Sequence, residues 1–168
     1  MASLVDEAFA HHVWASLRLI DACLPLTAEQ LDTTVPGTYG SILDTVRHFV
    51  GGDAYYLFHL TGDPTRQIDE DHMDLGELRA AMEANERAWT ELLAGGLDPD
   101  DVVTDVDSAG YRREASVGVR LAQALMHGTE HRSQVCTAIT TIGIEPPSLD
   151  VWDYGDDTGR VIEIPPES

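Results

Sequence analysis

Two histidines of this sequence, His127 and His131, stand four residues apart in a stretch with helical periodicity. That spacing places two imidazole rings on one helix face, one turn apart, where they can share a metal ion. Their neighbours on this face are Gln123, Gln134 and Ala138, and none of the three is charged. The alternative interpretation is a pair of half-exposed or hydrogen-bonded histidines without a ligand.

A third candidate ligand, His48, lies in the middle of another helical stretch. Just beyond it, Gly51 and Gly52 interrupt the pattern, although each glycine costs a helix about 1 kcal/mol relative to alanine. We expect the pair to admit a bulky group close to the backbone. Three neutral imidazoles leave Zn²⁺ or Ni²⁺ with open coordination positions, which is typical of reactive and not of structural sites. Tyr55 and Gln134 share faces with these histidines and are expected to support them.

The remaining histidines fit this site less well. His12 approaches the apolar stripe of the first helical stretch and is the reserve ligand candidate. His59 follows His48 by eleven residues, which is about 16 Å along a helix and too far for one ion. His72 lies in an acidic loop and is expected to be solvated.

Four segments with the periodicity of amphipathic helices must position these side chains. Ser3, Ser41 and Asp74 precede three of them as N-cap candidates, and Glu77 completes a capping box with Asp74. We predict an all-α fold in a single domain of residues 1–168, a four-helix bundle that is not a simple up-and-down arrangement. Its core helices are predicted at about 3–24, 41–61, 74–94 and 116–142, followed by a tail at 143–168.

The connections between these helices are long. Residues 65–73 are polar and acidic, and residues 97–115 contain the apolar run Val102–Val106. A short hairpin between the third and fourth helices is one interpretation of that run. Residues 161–168 are expected to fray. Four large residues of the tail are expected to pack back on the bundle: Leu149, Val151, Trp152 and Tyr154.

The composition excludes several classes of partner. The 168 residues include 30 acidic and 10 basic side chains, which give a formal net charge of -20. Because affinity for nucleic acid and for anionic lipid depends on Lys and Arg, we expect binding to neither. The sequence shows no signal peptide and no membrane-spanning stretch, and Cys23 and Cys136 fall in helical patterns as reduced thiols. A cytoplasmic protein is therefore expected.

Two motifs resemble those of a known family. The run from His127 to Gln134 is similar to the His-x3-His-Arg-x-Gln signature of the DinB/YfiT-like superfamily, and the stretch from Gly40 to His48 resembles its second-helix motif. The resemblance extends over essentially the whole chain, and the family's three histidine positions match without a departure. It implies a four-helix bundle with the DinB helix order, often a homodimer. The metal ligands carried over are His48, His127 and His131.

The resemblance also implies a chemistry. Characterised relatives are thiol S-transferases and thiol-dependent isomerases that use small thiols such as bacillithiol or mycothiol. A metal ion with open positions binds thiolate and lowers the pKa of the thiol, so this chemistry agrees with the predicted site. The sequence contains no Lys, which is typical of a GC-rich genome, and this composition favours mycothiol as the thiol. We therefore expect a metal-dependent transferase that moves a small thiol to a small electrophile.

Two other functions stay open at this point. One is a metal-dependent hydrolase of a small substrate, in which the open metal position activates water. The other is a non-catalytic dimeric metal-binding protein. An anionic thiol needs a favourable path into a protein of charge -20, so we look for arginines at the mouth of the site. The candidates are Arg47, Arg112, Arg113 and Arg132.

Overall fold

Helices dominate the fold. The computed structural model describes residues 2–106 and 109–164, and within them four helices have 20 residues or more. This confirms a mostly helical protein. In chain order the helices are α1 (Leu4–Cys23), α2 (Ala28–Leu31), α3 (Ile42–Thr61), α4 (Leu75–Ala94), α5 (Val117–Thr141) and α6 (Val151–Asp157).

Local sequence signals set the ends of the long helices. The Ser3 and Asp74 side chains accept hydrogen bonds from the third residue of α1 and α4, and both positions form complete capping boxes. The Ser41 side chain accepts a hydrogen bond from the Asp44 N–H at the start of α3, and Gly62 ends that helix with a left-handed backbone of φ 70°. The four predicted helices therefore agree with the observed ones to within one residue at every end.

The four long helices pack around one apolar core. The α3 helix packs most extensively on α5, and α1 packs on α4; α3 also contacts α4, and α1 also contacts α5. Cys23 is buried in this core and Cys136 is half-buried, and both are free thiols. Burial raises the pKa of Cys23 to about 12, so its thiol is unreactive at neutral pH. The largest fully buried side chains include Trp89, Phe9, Phe49, Leu19 and Ile20.

A hairpin connects α4 to α5. Strand β1 (Val102–Val106) pairs antiparallel with β2 (Arg112–Ser116), which confirms the hairpin interpretation. The register sets Asp105 opposite Arg113 and Val103 opposite Ala115. Strand β1 contacts α3, and β2 contacts α5. Residues 107–108, between the two strands in the sequence, lie outside the described residues.

The tail packs back only in part. Tyr154 is buried and Leu149 is half-buried, and α6 contacts α1. Val151 and Trp152 are 61% and 73% exposed, so the expectation that they pack on the bundle was wrong. The cause is the short helix α6, which turns one face inward and leaves these two side chains in solvent. Of the residues expected to fray, 161–164 have no regular structure and 165–168 lie outside the described residues.

The acidic connection after α3 is held against that helix. It contains two short 3₁₀ turns, Pro64–Arg66 and Glu70–His72, and both contact α3. The Arg47 guanidinium donates a hydrogen bond to the Met73 carbonyl oxygen at 3.0 Å. Among the described helices none is long and apolar enough to cross a bilayer.

Candidate metal centre

Helices α3 and α5 bring the three predicted ligands together. One ring nitrogen from each of His48, His127 and His131 can be chosen so that all three lie within 4.8 Å of one another. The Nε2 atoms of His48 and His127 are 3.1 Å apart. His131 is buried, and the other two rings are half-buried. The spacing recognised in the sequence therefore produces one compact cluster of imidazoles.

Gly52 explains how the cluster forms. The His127 ring lies directly against the backbone of Gly52, where a Cβ atom would be 2.5 Å from the ring carbon Cε1. Any side chain at this position would push the His127 ring away from α3. The expectation that a bulky group approaches the glycine pair is confirmed, and at Gly52 this group is the His127 imidazole of α5.

Gln134 fixes the protonation of His131. Its side-chain oxygen accepts a hydrogen bond from the backbone N–H of Tyr39 at 3.0 Å and contacts His131 Nδ1 at 2.9 Å. A backbone N–H only donates, so the atom between the two groups is the amide oxygen, and Nδ1 must carry the proton. The other ring nitrogen, Nε2, then keeps its lone pair for a metal ion. The supporting role expected of Gln134 fits this geometry.

Tyr55 does not support the ligands. Its hydroxyl group donates a hydrogen bond to Asp105 Oδ2 at 3.2 Å, on the β-hairpin. The expectation for Tyr55 was therefore wrong. The helical pattern correctly placed Tyr55 near the face of His48, but the hairpin supplies an acceptor two turns further along that face.

The cluster presents neutral donors to a cation. Burial, followed by the neighbouring His131 and His48, lowers the pKa of His127 to about 4. Burial also lowers the pKa of His48, with a smaller effect from His131. Both rings therefore carry free lone pairs at neutral pH.

The donor set fits Zn²⁺ or Ni²⁺. Imidazole nitrogen is a preferred ligand of both ions. Two nitrogens bound to one tetrahedral zinc ion are separated by about 3.3 Å, from Zn–N bonds of about 2.0–2.1 Å. The observed 3.1 Å between His48 and His127 is close to that separation. A three-histidine set also leaves room for a further ligand on the ion.

The cluster borders an open cleft of about 470 Å³. The Tyr39 ring stacks on His48 with centroids 3.8 Å apart and forms one wall. The Glu70 carboxyl group lies over Gly51, one helical turn beyond His48, and faces the same cleft. Neither Tyr39 nor Glu70 was predicted. The glycine at position 51 was the available signal, since a Cβ there would collide with the Glu70 side chain.

His12 belongs to a separate buried network. Its Nε2 atom is 3.0 Å from Asp53 Oδ1, and its Nδ1 atom is 3.1 Å from the Arg132 guanidinium. Trp89 donates a second hydrogen bond to Asp53, at 2.8 Å. The reserve ligand role expected of His12 was therefore wrong, because both of its ring nitrogens have protein partners. Gly128 makes room for the ring, as Gly52 does for His127.

The other candidates lie away from the cluster. His59 stands beside Tyr55, with ring centroids 4.3 Å apart, and His72 is exposed, as expected. Of the four arginines proposed for the mouth, only Arg47 lines the cleft at His48. Arg132 is buried in the core, Arg112 pairs with Glu114 in solvent, and Arg113 lines a different pocket.

Fold and cluster together define a helical protein with a candidate three-histidine metal site. The sequence profile of the DinB family matches residues 1–165. The chain therefore belongs to the DinB family, which confirms the resemblance based on the two histidine motifs. A search of curated proteins gives no match.

Proposed function

We propose that this DinB-family protein binds a zinc or nickel ion through His48, His127 and His131 and works as a metal-dependent transferase. Its substrates in this proposal are a small thiol of the mycothiol kind and a small electrophile. The observation that carries the proposal is the convergence of three imidazoles beside an open cleft. The half-buried position of the cluster supports a reactive site, since a structural metal site is normally closed.

The residues of the cleft have distinct tasks in this proposal. A zinc or nickel ion held by His48, His127 and His131 would lower the pKa of a small thiol in the cleft. Glu70 accepts the thiol proton, and the sulfur forms a bond to the electrophilic carbon while the leaving group departs with its electron pair. Glu70 then returns the proton to the leaving group. Tyr39 covers His48, and Gln134 keeps the lone pair of His131 available.

A hydrolase is the second candidate, and the Glu70 carboxyl group in the cleft supports it as well. A carboxylate beside an open metal position can take a proton from water as well as from a thiol. The product would then be the hydrolysed substrate, with no thiol consumed.

A paired assay separates these functions. The zinc-loaded protein is given a small aryl halide with and without mycothiol, and a small aryl ester without thiol. The transferase predicts thiol-dependent release of halide and a large loss of rate in Glu70→Gln. Ester cleavage without thiol transfer would establish the hydrolase instead. Neither reaction in a protein that holds one metal ion would favour the non-catalytic binding protein. Glu77→Gln, in the capping box of α4, is the matched control.

Further properties belong to the same proposal. We propose a single domain over residues 1–168 with the DinB helix order, and a homodimer in the cytoplasm. Met126 is 65% exposed on α5, and such an apolar group is available to a protein interface. The net charge of -20 supports the expectation that nucleic acid and membranes are not partners.

A further inference from the structure

A second pocket, of about 300 Å³, lies between the hairpin and helices α3 and α5. Its apolar walls include the rings of Tyr55 and Tyr56 and the side chain of Val119. Arg113 and Arg120 line it as well. A small molecule with an apolar body and a charged end matches this combination of walls.

The pocket carries an excess of positive charge. Arg120 is buried, and its NH1 atom donates to Asp105 Oδ2 at 3.0 Å. Asp105 also accepts the hydrogen bond from Tyr55, so its carboxylate is already satisfied. The Nε atom of Arg120 is buried and has no hydrogen-bond partner among the described residues. Arg113 therefore adds a charge that the pocket itself does not neutralise.

Arg113 is unusual among the ten arginines of the chain. Within residues 2–106 and 109–164, only Arg87 and Arg113 have neither a hydrogen bond nor an ion pair. Arg87 lines none of the described pockets, whereas Arg113 does. Asp105 lies opposite Arg113 across the hairpin and attracts it electrostatically, but it forms no ion pair with Arg113 and is already bonded to Arg120 and Tyr55. The Arg113 guanidinium is therefore available to an anionic ligand at this pocket.

This pocket adjoins the candidate metal centre. Tyr56 lines the pocket, and its ring centroid is 5.9 Å from that of His127. Gln123, also in the lining, precedes His127 by four residues on α5, which is about 6 Å along the helix. The pocket and the three-histidine cluster are therefore neighbours along α3 and α5.

We propose that this pocket binds the carboxylate of a small aromatic or alkyl substrate, with Arg113 as the residue that recognises the anion. The inference rests on the proposed function in one respect, because the other end of that substrate is taken to react at the three-histidine cluster. It adds the class of electrophile, which is a small molecule that carries a carboxylate group. The reactive carbon of that molecule lies at a distance of about one to two helical turns from the carboxylate.

Benzoate and its neutral analogue benzamide test the pocket by direct binding. Both are titrated into the protein while backbone amide chemical shifts are recorded. Arg113→Gln removes the proposed contact, and Arg112→Gln removes the same charge from the opposite face of β2. We expect benzoate to shift amides around Tyr55 and Arg120, to bind about tenfold more tightly than benzamide, and to lose about tenfold in affinity in Arg113→Gln alone.

Three results would overturn the inference: no benzoate binding, equal affinity for benzamide, or an equal loss in Arg112→Gln and Arg113→Gln. The last result would mean a general effect of charge. The same titration on His127→Ala keeps this inference separate from the proposed function. That variant lacks a proposed ligand but retains the pocket, so benzoate binding persists in it whether or not the protein is a transferase.

Discussion

Histidines occur in two polar clusters between the helices of the described structure, and the two clusters differ in the partners of their imidazole nitrogens. One is the His12 network with Asp53, Trp89 and Arg132, and the other is the three-histidine cluster. In each, an imidazole lies against a glycine of the facing helix. The His12 ring nitrogens both contact protein groups, whereas His127 Nε2 meets another imidazole nitrogen.

The partners of the ring nitrogens distinguish His12, a structural histidine, from His127, a candidate metal ligand. Arg132 donates to His12 Nδ1, so His12 Nε2 carries the proton that it donates to Asp53. Every charged or polar group of that network thus has a partner, as buried polar groups require. Two imidazole nitrogens at 3.1 Å satisfy each other only while one of them carries a proton. A cation at the cluster satisfies both lone pairs at once.

The largest expected effect contrasts one histidine from each cluster. His12→Ala leaves Asp53 and Arg132 buried without their bridging ring, and we expect a loss of about 3–5 kcal/mol in the free energy of unfolding. His127→Ala removes a half-buried ring without a charged partner, and we expect the metal-free protein to lose about 1 kcal/mol or less. Urea denaturation of the metal-free proteins measures both values.

The same two variants are expected to rank in the opposite order when the loss of bound metal is measured. His12→Ala, where it remains folded, is expected to keep one ion per chain, and His127→Ala is expected to keep none. Equal destabilisation by the two variants, or retention of the ion in His127→Ala, would mean that the two clusters do not differ as described.

The glycine pair gives the next largest effect. Gly52→Ala forces the His127 ring off α3, and we expect a loss of about 10–100-fold in zinc affinity, the range for a disturbed ligand. Gly51→Ala is the matched control, because its Cβ meets Glu70 and not a histidine. Zinc titration by calorimetry compares them, and an equal affinity in both variants would refute the role given to Gly52.

Gln134 is expected to have a smaller effect, of about tenfold on zinc affinity in Gln134→Met. The methionine sulfur is a weak acceptor for the hydrogen bond from His131 Nδ1–H, so the ring loses its orientation. Gln134→Glu keeps an acceptor for Nδ1–H and is expected to retain the affinity. If the glutamate variant is as weak as the methionine variant, the hydrogen bond to His131 does not explain the effect.

The smallest effect is the pH dependence of stability. The pKa of His127 is about 4 in the folded chain against an ordinary 6.5, so between these values the unfolded chain binds a proton that the folded chain does not. The metal-free protein therefore loses stability as the pH falls from 6.5 toward 4. We expect a shallower decline in His127→Ala, measured as the unfolding midpoint in urea at each pH. Parallel curves for the two proteins would contradict this explanation.

Much of the fold could be predicted from local sequence signals such as helix caps. Caps such as Ser3 with Asp6 and Asp74 with Glu77 act within one helical turn, so the sequence alone could position the ends of α1 and α4. The hairpin followed from an apolar run. The short helix α6 was missed because its Asp and Gly content disfavours a helix, and packing on α1 outweighs that tendency.

The site was predictable only in part. The three histidines were found because their spacing on helices is a local property. Asp53, Glu70 and Tyr39 reach their positions through contacts with residues far away in the chain, and no periodicity reveals such contacts. The glycines at 51 and 52 indicated that bulky groups approach α3, and these groups are Glu70 and His127. The glycines did not indicate which side chains would fill the space.

One measurement tests the central claim most directly: zinc and nickel binding to the metal-free protein, followed by calorimetry and by the shift in melting temperature. We predict one ion per chain, a higher melting temperature because the ion binds the folded state, and loss of both in His48→Ala. His59→Ala, on the same helix, should behave as the unsubstituted protein does. An unchanged melting temperature with either metal, or full occupancy in His48→Ala, would contradict the three-histidine site.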